Sequence, residues 1–205
     1  MYNDVKMIRI KNNWASLLST ILNPDNVISL TLILIIFKTF EPNSLYWWIA
    51  IVVLFNFLFG YIWLFYVENL GFQVDEPLEN RGEKRTRIMA MIPQFFVLVF
   101  EIILSDLYGR AEPFYATLIF FLASGILFAM ISFFWKVSAH AATTAALFTI
   151  LALIYSPWFW LLFVLSPIIG YARLILDRHT PTQLVFGNIA AILLVLFIFS
   201  CYKVI

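Results

Sequence analysis

Two short stretches hold most of the side chains in this chain that could do chemistry. One is Ala172-Arg173-Leu174-Ile175-Leu176-Asp177-Arg178-His179. The other, upstream, is Lys136-Val137-Ser138-Ala139-His140. Between them they contain both histidines of the protein, and apolar sequence surrounds each. Two histidines suit a two-step displacement at phosphorus. One imidazole attacks and is transiently phosphorylated, while the other protonates the departing oxygen and later activates water. Neighbouring cations stabilise charge on the equatorial oxygens, so this chemistry calls for no metal and no cofactor. Cys201 is the only cysteine, and no Cys/His cluster suggests zinc. His140 opens a helix through Ala141 and Ala142, and a helix N-terminus is a seat for phosphate. Arg173 closes a later helix, where a guanidinium suits a forked grip on phosphate oxygens.

The elements that must position these groups are membrane helices. The chain has 205 residues, of which 12% are charged, against about 25% in an ordinary soluble domain. A mean hydropathy of +0.93 agrees. Only helices or closed barrels satisfy their backbone in lipid, and the strict alternation of a barrel is missing. The expected fold is all-α: a polytopic transmembrane bundle of six to seven membrane helices plus a short N-terminal interfacial helix, in a single integral membrane domain over residues 1–205. Spans are expected at Val27–Phe40, Leu45–Val67, Ile88–Leu107, Pro113–Trp135 and Leu184–Tyr202. Ala139–Tyr155 and Pro157–Tyr171 read as a tight hairpin broken at Ser156-Pro157. Trp14–Leu22 is short and amphipathic and places residues 1–25 at the interface. Asn23-Pro24-Asp25-Asn26 then breaks the chain and offers caps. No signal-peptide pattern follows Met1–Asn13, so the mature chain is expected to begin near residue 1.

Counting helices decides which loops share a side. Residues 1–25, 68–87, 136–140 and 172–183 fall on one face, with ten of the 13 Lys and Arg residues. The positive-inside rule makes that face cytoplasmic in a multi-pass protein of the cell membrane. A net charge of +1 marks no nucleic-acid partner. The expected partners are the lipid bilayer and a membrane lipid carrying phosphate or diphosphate, to which the cations of the Arg81–Arg87 loop are matched. Plainer roles also exist. Lys136 could snorkel to the interface, Ser138 could cap its helix, and Arg178 is expected to face water or lipid headgroups. Glu101 and Asp106 are carboxylates within or near a span, which normally flags function.

These residues carry a family resemblance. The chain resembles the type 2 phosphatidic acid phosphatase family of integral membrane phosphatases, part of a haloperoxidase-like superfamily. That family shows a Lys-x6-Arg-Pro, a Pro-Ser-Gly-His and a Ser-Arg-x5-His-x3-Asp motif. Ala172-Arg173 and His179 match the third, and Ser138-Ala139-His140 matches the second with Val137 and Ala139 in place of Pro and Gly. The first is met only loosely: Arg81 to Arg87 supplies cations, and Pro93 follows at the wrong spacing. The similarity covers roughly residues 75–190, the expected phosphatase-like core. The resemblance implies that His179 is the nucleophile, His140 the general acid, and Arg173 and Ser138 phosphate ligands. It leaves Lys136, Arg81, Lys84 and Arg85 as further phosphate-binding cations. Where the family has its last Asp, this chain has Gln183, as a variant subgroup would. A Gln carbonyl can accept the Nδ1–H bond of His179 but lacks the charge that stabilises an imidazolium. The resemblance therefore implies a phosphatase that hydrolyses a lipid phosphate or polyprenyl diphosphate through phosphohistidine. The rivals are a lipid phosphotransferase on the same fold and a non-catalytic lipid-binding or transport protein with a degenerate site.

Overall fold

The computed structural model describes residues 13–69 and 84–205. All regular structure among them is helical. Helix α1 (Asn13–Ile21) meets α2 (Pro24–Thr39) at a 43° bend. α3 (Pro42–Val52) runs through a π-helical stretch, Val53–Phe59, into α4 (Gly60–Asn69). α5 (Lys84–Tyr108) and α6 (Glu112–Ser132) follow, then α7 (Ala139–Ile154). A 3-10 helix, Pro157–Leu165, leads straight into α8 (Ser166–Ile175), and α9 (Pro181–Cys201) is last. Prolines set most of these starts. Pro24, Pro42, Pro113, Pro157, Pro167 and Pro181 each sit in the first two positions of a helix, where a missing N–H costs nothing.

Five described helices are long and apolar enough to cross a membrane, and the bent pair α1–α2 makes a sixth if it is one span. α7 is apolar but has only 16 residues. It sits at the centre, packed on α2, α8, α9 and the 3-10 helix. Its Ala141, Ala142, Ala145 and Ala146 are buried, and such small side chains let neighbouring backbones approach closely. In α1, Leu17 and Ile21 are 63% and 57% exposed, and Ser16, Ser19 and Thr20 border a half-open cavity.

α9 passes close to the start of α7 at Gly187. A Cβ added there would lie 2.9 Å from the Ser138 carbonyl oxygen and 3.6 Å from the Ala141 Cβ. Gly187→Ala is therefore expected to destabilise the protein by about 1–3 kcal/mol and to displace the turn before His140. Thermal unfolding of the detergent-solubilised variant checks this, and an unchanged midpoint would contradict it.

Glu101 finds its partner inside the bundle. It is fully buried and accepts a 2.5 Å bond from Asn56 Nδ2, and Asn56 Oδ1 in turn accepts from Gln94 Nε2 at 2.7 Å. Asn56 lies in the π-helical stretch, so this chain of bonds clamps that stretch to α5. Asp106 lies nearer the helix end and accepts from the Tyr115 hydroxyl at 3.3 Å.

Contacts at the two ends show which loops are neighbours. At one end Phe40 packs on Trp48 and Phe114, and Arg110 lies 4.0 Å from the Tyr115 ring and 5.2 Å from that of Tyr202. At the other end Trp14 stacks on Tyr171 and Trp135 meets Phe186. The described parts of α1, the turn before α7 and the turn before α9 gather at this second end.

Candidate active site

Three helix ends build the site. The first is the start of α7. Ser138 is its N-cap, with extended backbone, and its hydroxyl accepts from the Ala141 N–H at 3.4 Å. This turn presents His140 one residue inside the helix. Ser138 itself is fully buried and lies outside the cavity lining, so its geometry is that of a cap.

The second is the end of α8, where Arg173 occupies the last turn with 1% of its surface exposed. The helix closes with the Asp177 N–H bonded to the Leu174 carbonyl at 3.0 Å and the Arg178 N–H to the Arg173 carbonyl at 3.1 Å. That is a Schellman motif, with Asp177 in the left-handed position at φ 50°. Asp is one of the few residues apart from Gly that visit this region readily.

The third is the start of α9. Thr180 and Gln183 form a reciprocal capping box. The Gln183 N–H reaches Thr180 Oγ1 at 3.4 Å, and the Thr180 N–H reaches Gln183 Oε1 at 3.1 Å. The backbone donor fixes which amide atom of Gln183 faces inward: it must be the oxygen. His179 Nδ1 lies 3.2 Å from that same Oε1. Nδ1 therefore carries the proton, and the Nε2 lone pair is left for chemistry.

His179 is 5% exposed. Burial, then the charges of Lys136 and Arg173, lower its pKa from 6.5 to about 3; the Gln183 bond works the other way, and His140 adds a smaller lowering. The imidazole is thus neutral through the physiological range. In the unfolded chain it takes a proton near 6.5, so acidifying from 6.5 to 3 costs native stability, and the loss is complete below about 3.

Ser19 completes the arrangement from α1. Its hydroxyl accepts a hydrogen bond from Arg173 Nη1. His140 Nε2 lies 3.3 Å from the same hydroxyl and 3.1 Å from the Ser19 carbonyl oxygen. One oxygen therefore stands between the buried guanidinium and an imidazole.

These groups face a cavity of about 710 Å³. Its polar end is lined by Ser19, Lys136, His140, Arg173, Arg178 and His179, and its wall toward α5 and α6 by apolar side chains such as Phe95, Leu98, Phe121 and Phe128. A polar pole with an apolar trough suits an amphiphile. Of the cations expected to bind phosphate, Lys136 and Arg173 line this space. Arg81 lies outside the described residues, and for Lys84 and Arg85 only the helical backbone at the start of α5 is described. Arg178, expected to face water or headgroups, is half-buried at the cavity lining, with Nε and Nη1 covered. Ser19 and Arg178 are the two site residues that motif reading passed over. The polar face of α1 and the position of Arg178 beside His179 were the available signals.

Gln183 can be tested through its two jobs. Gln183→Glu keeps the capping box and the acceptor at Nδ1 but adds a charge. It is expected to raise the pKa of His179 and move the acid limb of kcat/KM upward by ~1–3 on the pH axis. Gln183→Leu removes both bonds, with about 0.5–2 kcal/mol lost from the cap, and should lower kcat as well. A pH profile that is the same for Gln183→Glu and the wild type would refute the link to His179.

A family model described as the PAP2 superfamily matches residues 88–205. The match takes in α6 to α9 and most of α5, and so includes His140, Arg173, His179 and Gln183 but leaves out α1 with Ser19. No curated protein and no solved structure matches the chain.

Proposed function

Because the chain belongs to the PAP2 superfamily, whose members are phosphatases of lipid-like phosphates, we propose that it is a multi-pass, metal-independent lipid phosphatase working through phosphohistidine. The observation that carries this reading is His179: neutral, buried, and held by Gln183 so that Nε2 keeps its lone pair, in a cavity that also takes in Arg173 and His140. In this reading Nε2 attacks phosphorus and the P–O bond to the lipid breaks. His140 gives its proton to the departing oxygen, then takes one from the water that attacks phosphohistidine. Arg173 and Lys136 stabilise the charge that builds on the equatorial oxygens. The position of the Ser19 hydroxyl supports this, because it marks a point that a guanidinium and an imidazole both reach, as a phosphate oxygen requires.

The substrate is a lipid phosphate or polyprenyl diphosphate whose tail lies in the apolar part of the cavity. The whole of residues 1–205 acts as one integral membrane domain, with the site on the cytoplasmic face of the cell membrane, where ten of the 13 Lys and Arg residues are counted. The capping box explains how Gln183 can stand where the family has Asp: Gln is as good a partner for Thr180 as an acid would be.

The test is phosphate release by the purified protein, in detergent and with a chelator present, from phosphatidate, lysophosphatidate and prenyl mono- and diphosphates. Release that survives the chelator supports the reading, and no release from any of them sinks it. For sidedness, labelling of Glu79→Cys in a Cys201→Ser background from each side of sealed vesicles decides between the two faces.

A further inference from the structure

Glu101 is fully buried within α5, and an ionisable side chain inside a membrane span is a flag for function. The chemistry at His179 makes no use of it. Gln94, Leu98, Glu101 and Ser105 recur at helical spacing along one stripe of α5. The bonds that start at Glu101 run in one direction. Its Oε1 accepts from Asn56 Nδ2 at 2.5 Å, which leaves Asn56 Oδ1 for Gln94. An amide oxygen only accepts, so Gln94 must offer its Nε2, and it does so at 2.7 Å. The carboxylate thus sets the sense of each amide in turn, and the relay ends at Gln94 Oε1.

Gln94 is half-buried and lines the cavity, where the other described α5 residues, Met91, Ile92, Phe95 and Leu98, are apolar. Its Oε1 accepts no hydrogen bond from the described residues and is not among their enclosed polar atoms, so it is left for what the cavity holds. Asn56 is buried with both amide atoms engaged, so turning the Gln94 amide over would set oxygen against oxygen. An acceptor held in this way among apolar side chains discriminates by what its partner can offer. A hydroxyl or amide N–H satisfies it. A methylene strips it of water and gives no bond, and a ketone oxygen sets acceptor against acceptor.

We propose that Gln94 is a specificity-determining residue: its Oε1, oriented through Asn56 by Glu101, takes a hydrogen-bond donor from the backbone of the bound lipid, on the tail side of the phosphate. The ligand class is a lipid phosphate with a hydroxyl or amide N–H next to its headgroup, in preference to one that is all hydrocarbon beyond the phosphate. Glu101 is a positioning residue, acting through the two amides. This rests on the lipid-phosphatase reading for the kind of ligand, but the preference can be measured without turnover.

Three probes test it, non-hydrolysable phosphonates of lysophosphatidate that differ only at the middle backbone carbon, which carries a hydroxyl, is a methylene or is a ketone. Each is titrated against thermal unfolding of the purified full-length protein. The hydroxyl probe is expected to protect the wild type at concentrations about three- to tenfold lower than the other two, the worth of one hydrogen bond. Gln94→Met should bring all three within about twofold of one another. Glu101→Gln keeps the shape but offers Asn56 either amide atom, so at least half of the preference for hydroxyl over ketone should go. Equal protection by the hydroxyl and methylene probes in the wild type, or protection by none, would overturn the proposal. So would a ketone probe as good as the hydroxyl probe, since Gln94 would then be donating, or a Gln94→Met variant that keeps the preference. An unchanged preference in Glu101→Gln would overturn the part assigned to Glu101. Turnover separates this from the broader reading. A hydroxyl preference without phosphate release from any lipid would leave Gln94 standing and the phosphatase reading refuted. Phosphate release from lysophosphatidate with no preference among the three probes would do the reverse.

Discussion

His179→Ala is expected to lower kcat for phosphate release by a factor on the order of 10³ or more, leaving the fold and anion binding in place. The size follows from the role. Without Nε2 there is no atom to receive the phosphoryl group, and the remaining cations lend only charge stabilisation. The intact fold follows from the geometry. Gln183 Oε1 keeps its bond from the Thr180 N–H when the imidazole is gone, so the capping box of α9 survives. The truncation also removes the neutral imidazole whose burial opposes protonation, so the variant should lose less stability than wild type between pH 6.5 and 3. The comparison requires kcat and an unfolding curve on the same preparation. Activity within about tenfold of wild type, with an unchanged melting profile, would rule out His179 as the nucleophile.

Much of this centre can be read in the sequence because its parts are close together along the chain. His179 and Gln183 are one helical turn apart, and the Thr-x-x-Gln spacing of a capping box is local. Arg173 and Arg178 flank one helix end. Helical, membrane-embedded architecture follows from composition, and the break at Ser156-Pro157 from proline chemistry. What escaped has equally physical reasons. Ser19 lies 121 residues from His140 and 154 from Arg173, and nothing in a serine on an amphipathic helix says what it will face. Amphipathic periodicity identifies two faces but does not say what each will meet: in α1, Ser19 borders the cavity while Leu17 and Ile21 are exposed. Arg178 follows a left-handed Asp, a position that composition alone assigns to Gly, so its inward turn is hidden. The π-helical stretch holds Asn56, whose partner Glu101 lies 45 residues away, so this bond too has no local signature.

The second large effect is expected at Arg173. Arg173→Lys should reduce kcat/KM by about 10²–10³, although the charge is conserved. Arg173 is among the largest fully buried side chains of the molecule, and it reaches Ser19 from the last turn of α8. Lysine in its place carries a point charge on a flexible stem. It has no planar fork with which to span two equatorial oxygens, and its ammonium is harder to strip of water. A rival explanation of such a loss is that Arg173 merely docks α1 through the Ser19 hydroxyl. Ser19→Ala separates the two. It deletes the hydroxyl that Arg173 and His140 share, and leaves the Ser19 carbonyl contact with His140 Nε2 at 3.1 Å. If Arg173 grips phosphate, Ser19→Ala should keep kcat/KM within about threefold of wild type or raise it, because a phosphate oxygen no longer competes with the hydroxyl. Arg173→Lys would still be crippled in that background. If both single variants fall together and the double variant falls no further, the two residues act as one unit, and the role of Arg173 is to hold α1. The double-mutant cycle in kcat/KM therefore decides whether the most buried cation of the cavity serves the phosphate or the helix that covers it.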